Sequence, residues 1–283
     1  MSQAGGIGGG GSVSFPITPT QGGTGLTSYV TGDMLYASAT NTLSALPIGQ
    51  VGAYLGSTGT LPEWETISNS WYVKDEFLND VLGSELGWGQ INGGSASINF
   101  SPGTATAAHP GVRSLITNGA FASSSMNLGP QYTCGGGRTI IQWIAKLNTL
   151  SSATDRYDVQ LGLGDTTNDT ASTNGVFFFY QDNVNSGNWR AVCVSGGVAT
   201  NLNSTIAADT NFHHFTIDIN AAGTSVSFAI DGVSLGAAIT TNIPTTTLMN
   251  FQVRNVNQGA STGASMALTV DAFMAYQKLT TAR

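Results

Sequence analysis

Apolar and polar positions alternate along short stretches through the last two thirds of the chain. In Phe215-Thr216-Ile217-Asp218-Ile219 the odd positions are apolar, which is the period of a half-buried β-strand. Turn sequences such as residues 220–223 and Asp231-Gly232 separate these stretches. The predicted strands are 98–100, 113–117, 139–147, 157–163, 176–181, 189–194, 212–219, 225–230, 248–256 and 267–279. Strands at this spacing predict an all-β domain, a two-sheet sandwich or jelly roll, over residues 70–283.

A helical period is almost absent from the sequence. No segment keeps apolar residues at 3.6-residue spacing over four turns, and residues 74–82 are the one stretch predicted to form a short helix.

The first twenty residues form a segment of their own. Glycine occupies positions 5, 6 and 8–11, and such a run holds no conformation by itself. The apolar residues are Ile7, Val13, Phe15 and Ile17. Alternation in this set predicts an extended arm over residues 1–20 that docks against another protein; a disordered tail is the alternative.

Residues 21–69 carry small apolar groups between glycine, serine and threonine. Each group is too small to build a core within one chain, but several copies that wrap together could share one. The apolar positions expected at such a shared core are Leu26, Met34, Leu35, Tyr36, Leu43, Leu46, Ile48 and Trp64.

Four motifs in this segment occur in a fixed order: QGGTGL at 21–26, TGDMLYA at 31–37, NTLSALPIG at 41–49 and PEW at 62–64. This order resembles the shaft module of bacteriophage tail fibres, where the pattern runs GGTG, GDLLYA, NTL-x-x-L-x-IG and P-x-W. The resemblance implies a homotrimer with intertwined strands. Because the module occurs once here, it implies a short appendage.

A second resemblance concerns the β-rich part. HHFTID at 213–218 and VSFAIDG at 226–232 are similar to a hairpin of concanavalin-like and laminin-G-like sandwiches. DEFL at 75–78, GW at 87–88 and HPGVR at 109–113 resemble the opening of such domains in phage structural proteins. The resemblance implies a concanavalin-like jelly roll but brings no ligand site with it.

Composition restricts the partners of this chain. Only 9% of the residues are charged, the net charge is −7, and the nine Lys and Arg residues form no cluster, which argues against nucleic-acid binding. No apolar run reaches the ~18 residues of a membrane span. The first residues lack the basic and apolar regions of a signal peptide. We therefore expect synthesis in a host cytoplasm and localisation to the virion.

Catalytic motifs are missing from the sequence. Retaining glycosidases of the concanavalin type use an E-x-D-x-x-E strand, but the glutamates here are Glu63, Glu65, Glu76 and Glu85, and none lies in the sandwich body after residue 85. Phosphate-loop and G-x-S-x-G patterns are also missing. We predict no enzyme and no cofactor. An aspartate pair, Asp155 with Asp158, is left as an alternative.

Metal ligands are sparse as well. His213 and His214 are adjacent, so on a strand they point to opposite faces and cannot share a metal, and we expect one to face the core and one the water. Asp165 and Asp169 lie in one polar loop and form a weak Ca²⁺ candidate, with an Asx-rich turn as the alternative. No metal is therefore expected.

The two cysteines, Cys134 and Cys193, lack metal-site spacing. We expect both to be buried free thiols. A disulfide requires that they lie on neighbouring strands, and a reducing cytoplasm disfavours it.

The most aromatic stretch is residues 177–180, followed by Trp189. Half of these side chains must face a core, and outward ones could stack on sugar rings or on a neighbouring subunit. Tyr180 and Trp189 are the candidates for glycan contact.

Together these observations predict a structural virion protein: residues 1–20 anchor it to a capsid or tail protein, residues 21–69 form a trimeric shaft, and residues 70–283 form the displayed sandwich. As a tail or head fibre it would contact host surface polysaccharide. A capsid decoration or cement protein is the alternative, and a glycan depolymerase is a third.

Overall fold

The structure, a computed structural model, describes residues 23–66, 69–77, 86–93, 111–117, 121–166, 171–259 and 266–281. Within these ranges the secondary structure is almost entirely β-strand, and the single helical turn is a 3-10 turn at Asn185–Gly187. In the same ranges, no helix has the length and hydropathy that a membrane span requires. The chain divides into two compact units, Met1–Ser68 and Asn69–Arg283. The prediction of an all-β fold is confirmed.

The first unit contains two β-hairpins. Strand β1, Met34–Ala39, pairs antiparallel with β2, Thr42–Leu46, through a turn in which Asn41 has a φ of 59°. Strand β3, Tyr54–Ser57, pairs in the same way with β4, Pro62–Glu65. Within one chain, each of these strands therefore pairs with its neighbour in sequence.

The contacts inside the first unit are few and local. The indole of Trp64 crosses Gly49, where a Cβ would lie 2.5 Å from Trp64 Cδ2, and its Nε1 donates to the carbonyl of Pro47 at 2.6 Å. The hydroxyl of Tyr54 donates to Glu65 Oε2 at 3.0 Å. Glu65 is the one buried residue of this unit's described part, residues 23–66. Its hairpins thus lack an apolar core of their own.

The described part of the second unit contains fourteen strands. They are β5 Ser70–Asp75, β6 Gly89–Gly93, β7 Arg113–Thr117, β8 Ser123–Tyr132, β9 Gly137–Leu147, β10 Tyr157–Gly164, β11 Gly175–Tyr180, β12 Asn188–Ser195, β13 Val198–Ala207, β14 His213–Ile219, β15 Val226–Ile230, β16 Val233–Ser234, β17 Met249–Asn257 and β18 Met266–Leu279. The first sheet has the order β13-β12-β11-β10-β17-β8-β6, and the second has the order β16-β15-β14-β9-β18-β5. All the pairings in both sheets are antiparallel, and the two sheets form a β-sandwich.

Strand β18 joins three others in the second sheet. Along one edge it pairs with β9 from Leu268↔Leu147 to Leu279↔Gly137, with a register shift between Val270 and Ala272. Along the other edge it pairs first with β7 and then with β5. The strand therefore connects pieces of the sheet that lie far apart in sequence.

Aromatic side chains fill the space between the two sheets. The ring of Phe178 on β11 lies 5.2 Å from both Phe215 and Phe228 of the opposite sheet, in edge-to-face geometry. The rings of Trp143 and Phe273 are 4.4 Å apart. Burial of such side chains contributes about 25 cal/mol per Å² of apolar surface, and edge-to-face pairs add about 0.5–1.5 kcal/mol each. This core accounts for the sandwich.

The structure corrects part of the prediction for the second unit. The helix expected at 74–82 is wrong at its start, because Lys74 and Asp75 belong to β5 and pair with β18. Residues 78–82, the predicted strand 98–100 and the arm at 1–20 lie outside the described residues. The other predicted strands coincide with observed ones to within two residues, whereas β5, β6, β8, β13 and β16 were not predicted.

Candidate functional site

The central strands of the first sheet, β10 and β17, are buried along their whole length on both faces. One face supplies core residues such as Val159, Leu161 and Val253. The opposite face is polar, although its members are between 0 and 7% exposed. We call it the polar sheet face, and its members are Asn127, Asp158, Gln160, Asn250, Gln252 and Arg254. An antiparallel sheet ordinarily turns such a face to water, so its burial sets it apart.

Strand register places side chains of this face in a row across five strands. Gln160 pairs with Arg254 on one side and with Phe179 on the other. Arg254 pairs in turn with Ser125, and Phe179 pairs with Arg190. Because directly opposed residues of an antiparallel pair point to the same face, the row runs continuously from β12 to β8.

The β11–β12 end of the same face is apolar. Phe177, Val192 and Val194 form a small buried cluster, and Phe179 packs against it. The guanidinium of Arg190 lies 4.8 Å from the ring centroid of Phe179, which is cation–π distance. Burial lowers the pKa of Arg190. The face therefore joins a polar region to an aromatic one.

Several buried atoms of the face have no hydrogen-bond partner in the chain. They are Asn127 Nδ2, Asp158 Oδ1, Gln160 Oε1, Arg190 Nε, Asn250 Oδ1 and Gln252 Oε1. An unpartnered buried polar group costs about 1–3 kcal/mol, so such atoms are rare in folded domains. Five of these atoms belong to members of the polar sheet face, and Arg190 lies at the β12 end of the same face.

Gly164 on β10 leaves room for a polar side chain of β17. A Cβ at Gly164 would be 2.0 Å from Nε2 of Gln252, so any larger residue would displace that amide. The same Nε2 lies 3.4 Å from Ser172 Oγ, and Asn250 Nδ2 donates to the Gly164 carbonyl at 3.2 Å. The last contact fixes the orientation of the Asn250 amide and leaves its oxygen as an acceptor.

Asp158 is the carboxylate of the polar sheet face. Burial raises its pKa to about 6, and the opposing influences of Arg254 and of the hydrogen bond from Gln258 are smaller. Asp155 lies in the loop before β10 and has a hydrogen bond of its own, from its N–H to Ser152 Oγ at 3.1 Å. The two aspartates of the predicted alternative pair therefore have different environments.

The predicted glycan contacts lie elsewhere. Tyr180 and Trp189 are each 2% exposed and pack on each other with ring centroids 5.5 Å apart inside the sandwich core. Neither ring can stack on a sugar at the surface, because the alternation of β11 and β12 turns both of them inward. The aromatic residues that reach the other face are Phe177 and Phe179.

The shaft residues all lie in the first unit, and they differ in exposure. Leu35 is 45% exposed and Ile48 is 66% exposed. The half-buried members are Leu26, Met34, Tyr36, Leu43, Leu46 and Trp64. The proposed anchoring residues Ile7, Val13, Phe15 and Ile17 lie outside the described residues.

Of the two Ca²⁺ candidate residues, Asp165 belongs to the described part of the chain. Asp165 accepts hydrogen bonds from Thr173 N and Asn174 Nδ2, both at 2.9 Å, which is the pattern of an Asx-rich loop. Asp169 lies outside the described residues. Across the ranges that the structure describes, no group of three or more His, Cys, Asp or Glu side chains is placed to hold a metal ion.

His213 belongs to a cluster that the sequence did not reveal. Its Nδ1 lies 2.6 Å from Asp231 Oδ2 and its Nε2 lies 2.9 Å from Asp209 Oδ1. Asp231 also accepts the backbone N–H of His214 at 2.8 Å. Both histidines are half-buried. His213 lies on the side of β14 that carries Phe215 and His214 lies on the opposite side, so they point to opposite faces as expected, but neither is a fully buried core residue.

The two cysteines are buried and free. Burial raises the pKa of Cys134 to about 12 and also raises that of Cys193. The prediction of two buried thiols is confirmed.

One family model matches this chain. The model is described as SO2946-like, C-terminal domain, and it covers residues 105–271, more than half of the chain. No curated protein matches the sequence.

Solved structures of similar shape have little sequence in common with the chain. The endo-1,3-β-glucanase of Streptomyces sioyaensis is 14% identical, with a TM-score of 0.48 over 75% of this chain and 98% of that one. The Emp47p carbohydrate recognition domain is 10% identical, with a TM-score of 0.47 over 75% and 96%. The alginate lyase AlyC3 is 10% identical, with a TM-score of 0.43 over 58% and 74%. The assignment of a sandwich therefore rests on the strand pairing of the chain itself.

Proposed function

We propose that this chain, which belongs to the family of SO2946-like C-terminal domains, is a structural protein of a bacteriophage particle. It acts as a short trimeric tail or head fibre. Residues 1–20 join it to a capsid or tail protein, the first unit holds three copies together, and the sandwich contacts polysaccharide on the host surface.

One observation carries this proposal: the described part of the first unit has no apolar core. Two hairpins with a single buried residue, the charged Glu65, cannot be stable alone, since isolated two-stranded hairpins are marginal in water. At the same time, large apolar side chains are exposed there, namely Tyr29, Val30, Leu35, Ile48, Val51, Tyr54, Leu55 and Leu61. A shared core between copies of the chain would cover them.

The motif order of residues 21–64 supports the identity of those copies. The exposed Leu35 and Ile48 fall inside the motifs that resemble the fibre shaft, so two of the residues that need a partner belong to the shaft pattern. A homotrimer with one sandwich per chain also suits adhesion. Several weak contacts on one particle raise avidity without a deep binding site.

The number of carboxylates on the polar sheet face suits an attachment role and not hydrolysis. Hydrolysis of a glycosidic bond needs two carboxyl groups that flank the bond. Among the described residues of the polar sheet face, Asp158 is the one carboxylate. Release of reducing ends from a host polysaccharide would instead assign a depolymerase.

The mass of the purified protein tests the proposal. Light scattering of the full chain is expected to give about three times 29.1 kDa, and a chain that lacks residues 1–69 is expected to be monomeric. A monomer at all concentrations would contradict the fibre proposal. On the particle, a few copies at one vertex or on the tail support a fibre, whereas copies spread over the whole shell would assign a decoration protein.

A second deletion tests the anchor. Trimers without residues 1–20 should form normally but should not join particles. Normal incorporation would remove the role proposed for Ile7, Val13, Phe15 and Ile17.

A further inference from the structure

We infer that the outer side of the second sheet binds an acidic polysaccharide, one whose sugar rings carry carboxylate groups. We call this surface the lysine face, and its members are Tyr72, Lys74, Arg138, Lys146, Tyr276 and Lys278. The inference rests on the proposed function, because it assigns the surface and the ligand class by which the sandwich would attach.

Strand alternation turns the lysine face away from the core. On β9 the core residues Ile141 and Trp143 point between the two sheets, so Arg138 and Lys146 point outward. The register continues this side of the sheet onto β18, where Lys278 is directly opposite Arg138. The side chain of Arg138 is 48% exposed, so a ligand can reach it from solvent.

Positive charge is concentrated on the lysine face, although the chain as a whole is acidic. The face carries all three lysines of the chain and one arginine, whereas the net charge of the chain is −7. Arg138 pairs with Asp218, and Lys74 pairs with Glu76. The Nζ of Lys146 lies 4.9 Å from the centroid of an aromatic ring, which carries no charge. Because the Debye length is about 8–10 Å in physiological salt, negative charges elsewhere on the chain are largely screened here. The lysine face therefore complements a polyanion in charge.

Two tyrosines lie side by side on the same surface. Tyr72 on β5 is directly opposite Tyr276 on β18, and Ile140 on β9 continues the row. Directly opposed residues have Cβ atoms about 4.5–5.5 Å apart, so the two side chains start from adjacent points of the surface. Tyr72 is 56% exposed, and Tyr276 is half-buried. Aromatic side chains of this kind pack against the C–H face of a pyranose ring, which an acidic peptide lacks.

A depression of about 150 Å³ opens beside the tyrosines. Its lining combines the polar side chains of Lys74, Gln142 and His214 with the apolar side chains of Ile144 and Met274. Lys74, Met274 and Gln142 form the row next to that of the tyrosines. An apolar surface with a few polar groups is the usual composition of a small-molecule site. The depression accepts a substituent of a sugar ring that packs on the tyrosines.

Titration calorimetry with the full chain tests the ligand class. The anionic probes are hexagalacturonate and a hyaluronan hexasaccharide, and the neutral probes are maltohexaose and cellohexaose. At least one anionic probe is expected to bind at least about tenfold more tightly than either neutral probe, since several exposed ion pairs add up. Its affinity should fall as the salt concentration rises. Preferred binding of a neutral probe, or binding of no saccharide at all, would overturn the inference.

Hexaglutamate separates a saccharide ligand from an acidic peptide. It carries as many carboxylates as hexagalacturonate but has no sugar ring. It is therefore expected to bind at least about fivefold more weakly than the preferred anionic saccharide, because it has no ring face to pack on the tyrosines. Equal or tighter binding of hexaglutamate would assign the lysine face to an acidic protein and refute the inference.

Two pairs of variants then locate the site. Tyr72→Ala should weaken binding by about fivefold, and Lys278→Gln should weaken it by about two- to fivefold. Phe121→Ala is the control for the ring, since Phe121 is 67% exposed and precedes β8 of the first sheet. Arg156→Gln is the control for the charge, since Arg156 precedes β10 of the first sheet. Both controls should keep the affinity of the wild type. If each variant binds as its control does, the saccharide lies elsewhere and the assignment fails.

Thermal unfolding separates lost binding from lost folding. Tyr72 and Lys278 lie on the outer surface of the sheet, so both variants should keep the Tm of the wild type. If Tyr72→Ala unfolds, the affinity of Lys278→Gln decides. If the wild type binds no saccharide and Tyr72→Ala loses mass in light scattering, the lysine face joins copies of the chain and the inference is refuted.

The mass test of the fibre is independent of these measurements. A trimer that binds no probe refutes this inference and leaves the proposed function standing. A monomer that binds an anionic hexasaccharide through the lysine face refutes the fibre and leaves this inference standing.

Discussion

The Nδ1 of His213, at the start of β14, lies 2.6 Å from Oδ2 of Asp231, in the turn between β15 and β16. Because Asp209 lies at hydrogen-bond distance from the other ring nitrogen, the imidazole has a carboxylate at both ends, which favours its charged form. Burial opposes this charge, but the hydrogen bonds to Asp231 and Asp209 outweigh it and raise the pKa of His213.

His213 should make the stability of the sandwich depend on pH. Its folded-state pKa lies above the ordinary 6.5, so its contribution is complete below pH 6.5 and is lost as the pH rises through the raised value. His213→Gln should lower stability at pH 5.5 by about 1 kcal/mol, a small figure because both aspartates are half exposed, and should match the wild type at pH 8.5. Thermal unfolding across this range measures the effect.

His214→Gln is the control for that series. In the part of the chain that the structure describes, the His214 ring makes no hydrogen bond to a carboxylate, unlike the His213 ring, so this variant should keep most of the pH dependence of the wild type. If the Tm changes equally with pH in the two variants, the His213 cluster does not couple protonation to folding.

The ionisation of Asp158 should change the stability of the sandwich in a lower pH range. Its pKa is raised from 3.8 to about 6, so the folded state binds this proton more tightly than the unfolded chain does. Stability from this group is complete below pH 3.8 and is lost as the pH rises through about 6. Asp158→Asn cannot ionise and should be more stable than the wild type at pH 7 by about 2–3 kcal/mol. Denaturant unfolding at pH 4 and pH 7 checks this, and a destabilised variant at pH 7 would contradict it.

The two thiols should be inert in the folded chain. Cys134 and Cys193 are buried and their raised pKa values keep them protonated at pH 8. Ellman's reagent should therefore react very slowly with the native protein and should count two thiols per chain in guanidinium chloride without reductant. A count of zero there would reveal a disulfide, and rapid native reaction would show that the core opens.

Leu35 should matter for assembly and not for the fold of the sandwich. Leu35→Ser removes an apolar side chain from the proposed shared core and should weaken the trimer by about 1.5–3 kcal/mol per chain. Leu150→Ser is matched, since Leu150 in the sandwich unit is also 45% exposed. Sedimentation equilibrium should show dissociation at higher concentration for Leu35→Ser alone, and equal behaviour of the two variants would argue against the shaft.

Sequence alternation located most of the sandwich because its strands combine β-branched or aromatic residues with clear turns. Strand β14 is an example, predicted at 212–219 and found at His213–Ile219. Strand β8 was missed because SSSMNLGPQY carries three serines, a glycine and a proline, which are poor strand residues in isolation. Its place is set by pairing with β17 and β6, and that pairing is not visible in its own composition.

The polar sheet face was beyond the reach of a single sequence. Asp158 and Gln160 alternate with apolar neighbours, which is the pattern of a strand with one face in water. Only the folded chain reveals that this second face is buried. The same limit explains why Tyr180 and Trp189 were assigned to glycan contact although they lie in the core. Alternation predicts that half of the aromatic residues face the core, but it does not indicate which half.

The pairing of β18 has a consequence for how the protein is made. The chain emerges from the ribosome starting with its first residue. Strands β5, β7 and β9 can therefore pair with β18 only after residues 266–279 have emerged. Until then β5 and β7 lack their partner in the second sheet, and the first sheet, whose last strand ends at Asn257, packs against an incomplete layer. Folding of the sandwich therefore waits for nearly the whole sequence, and a transcript truncated before β18 would yield an aggregating fragment instead of a smaller domain.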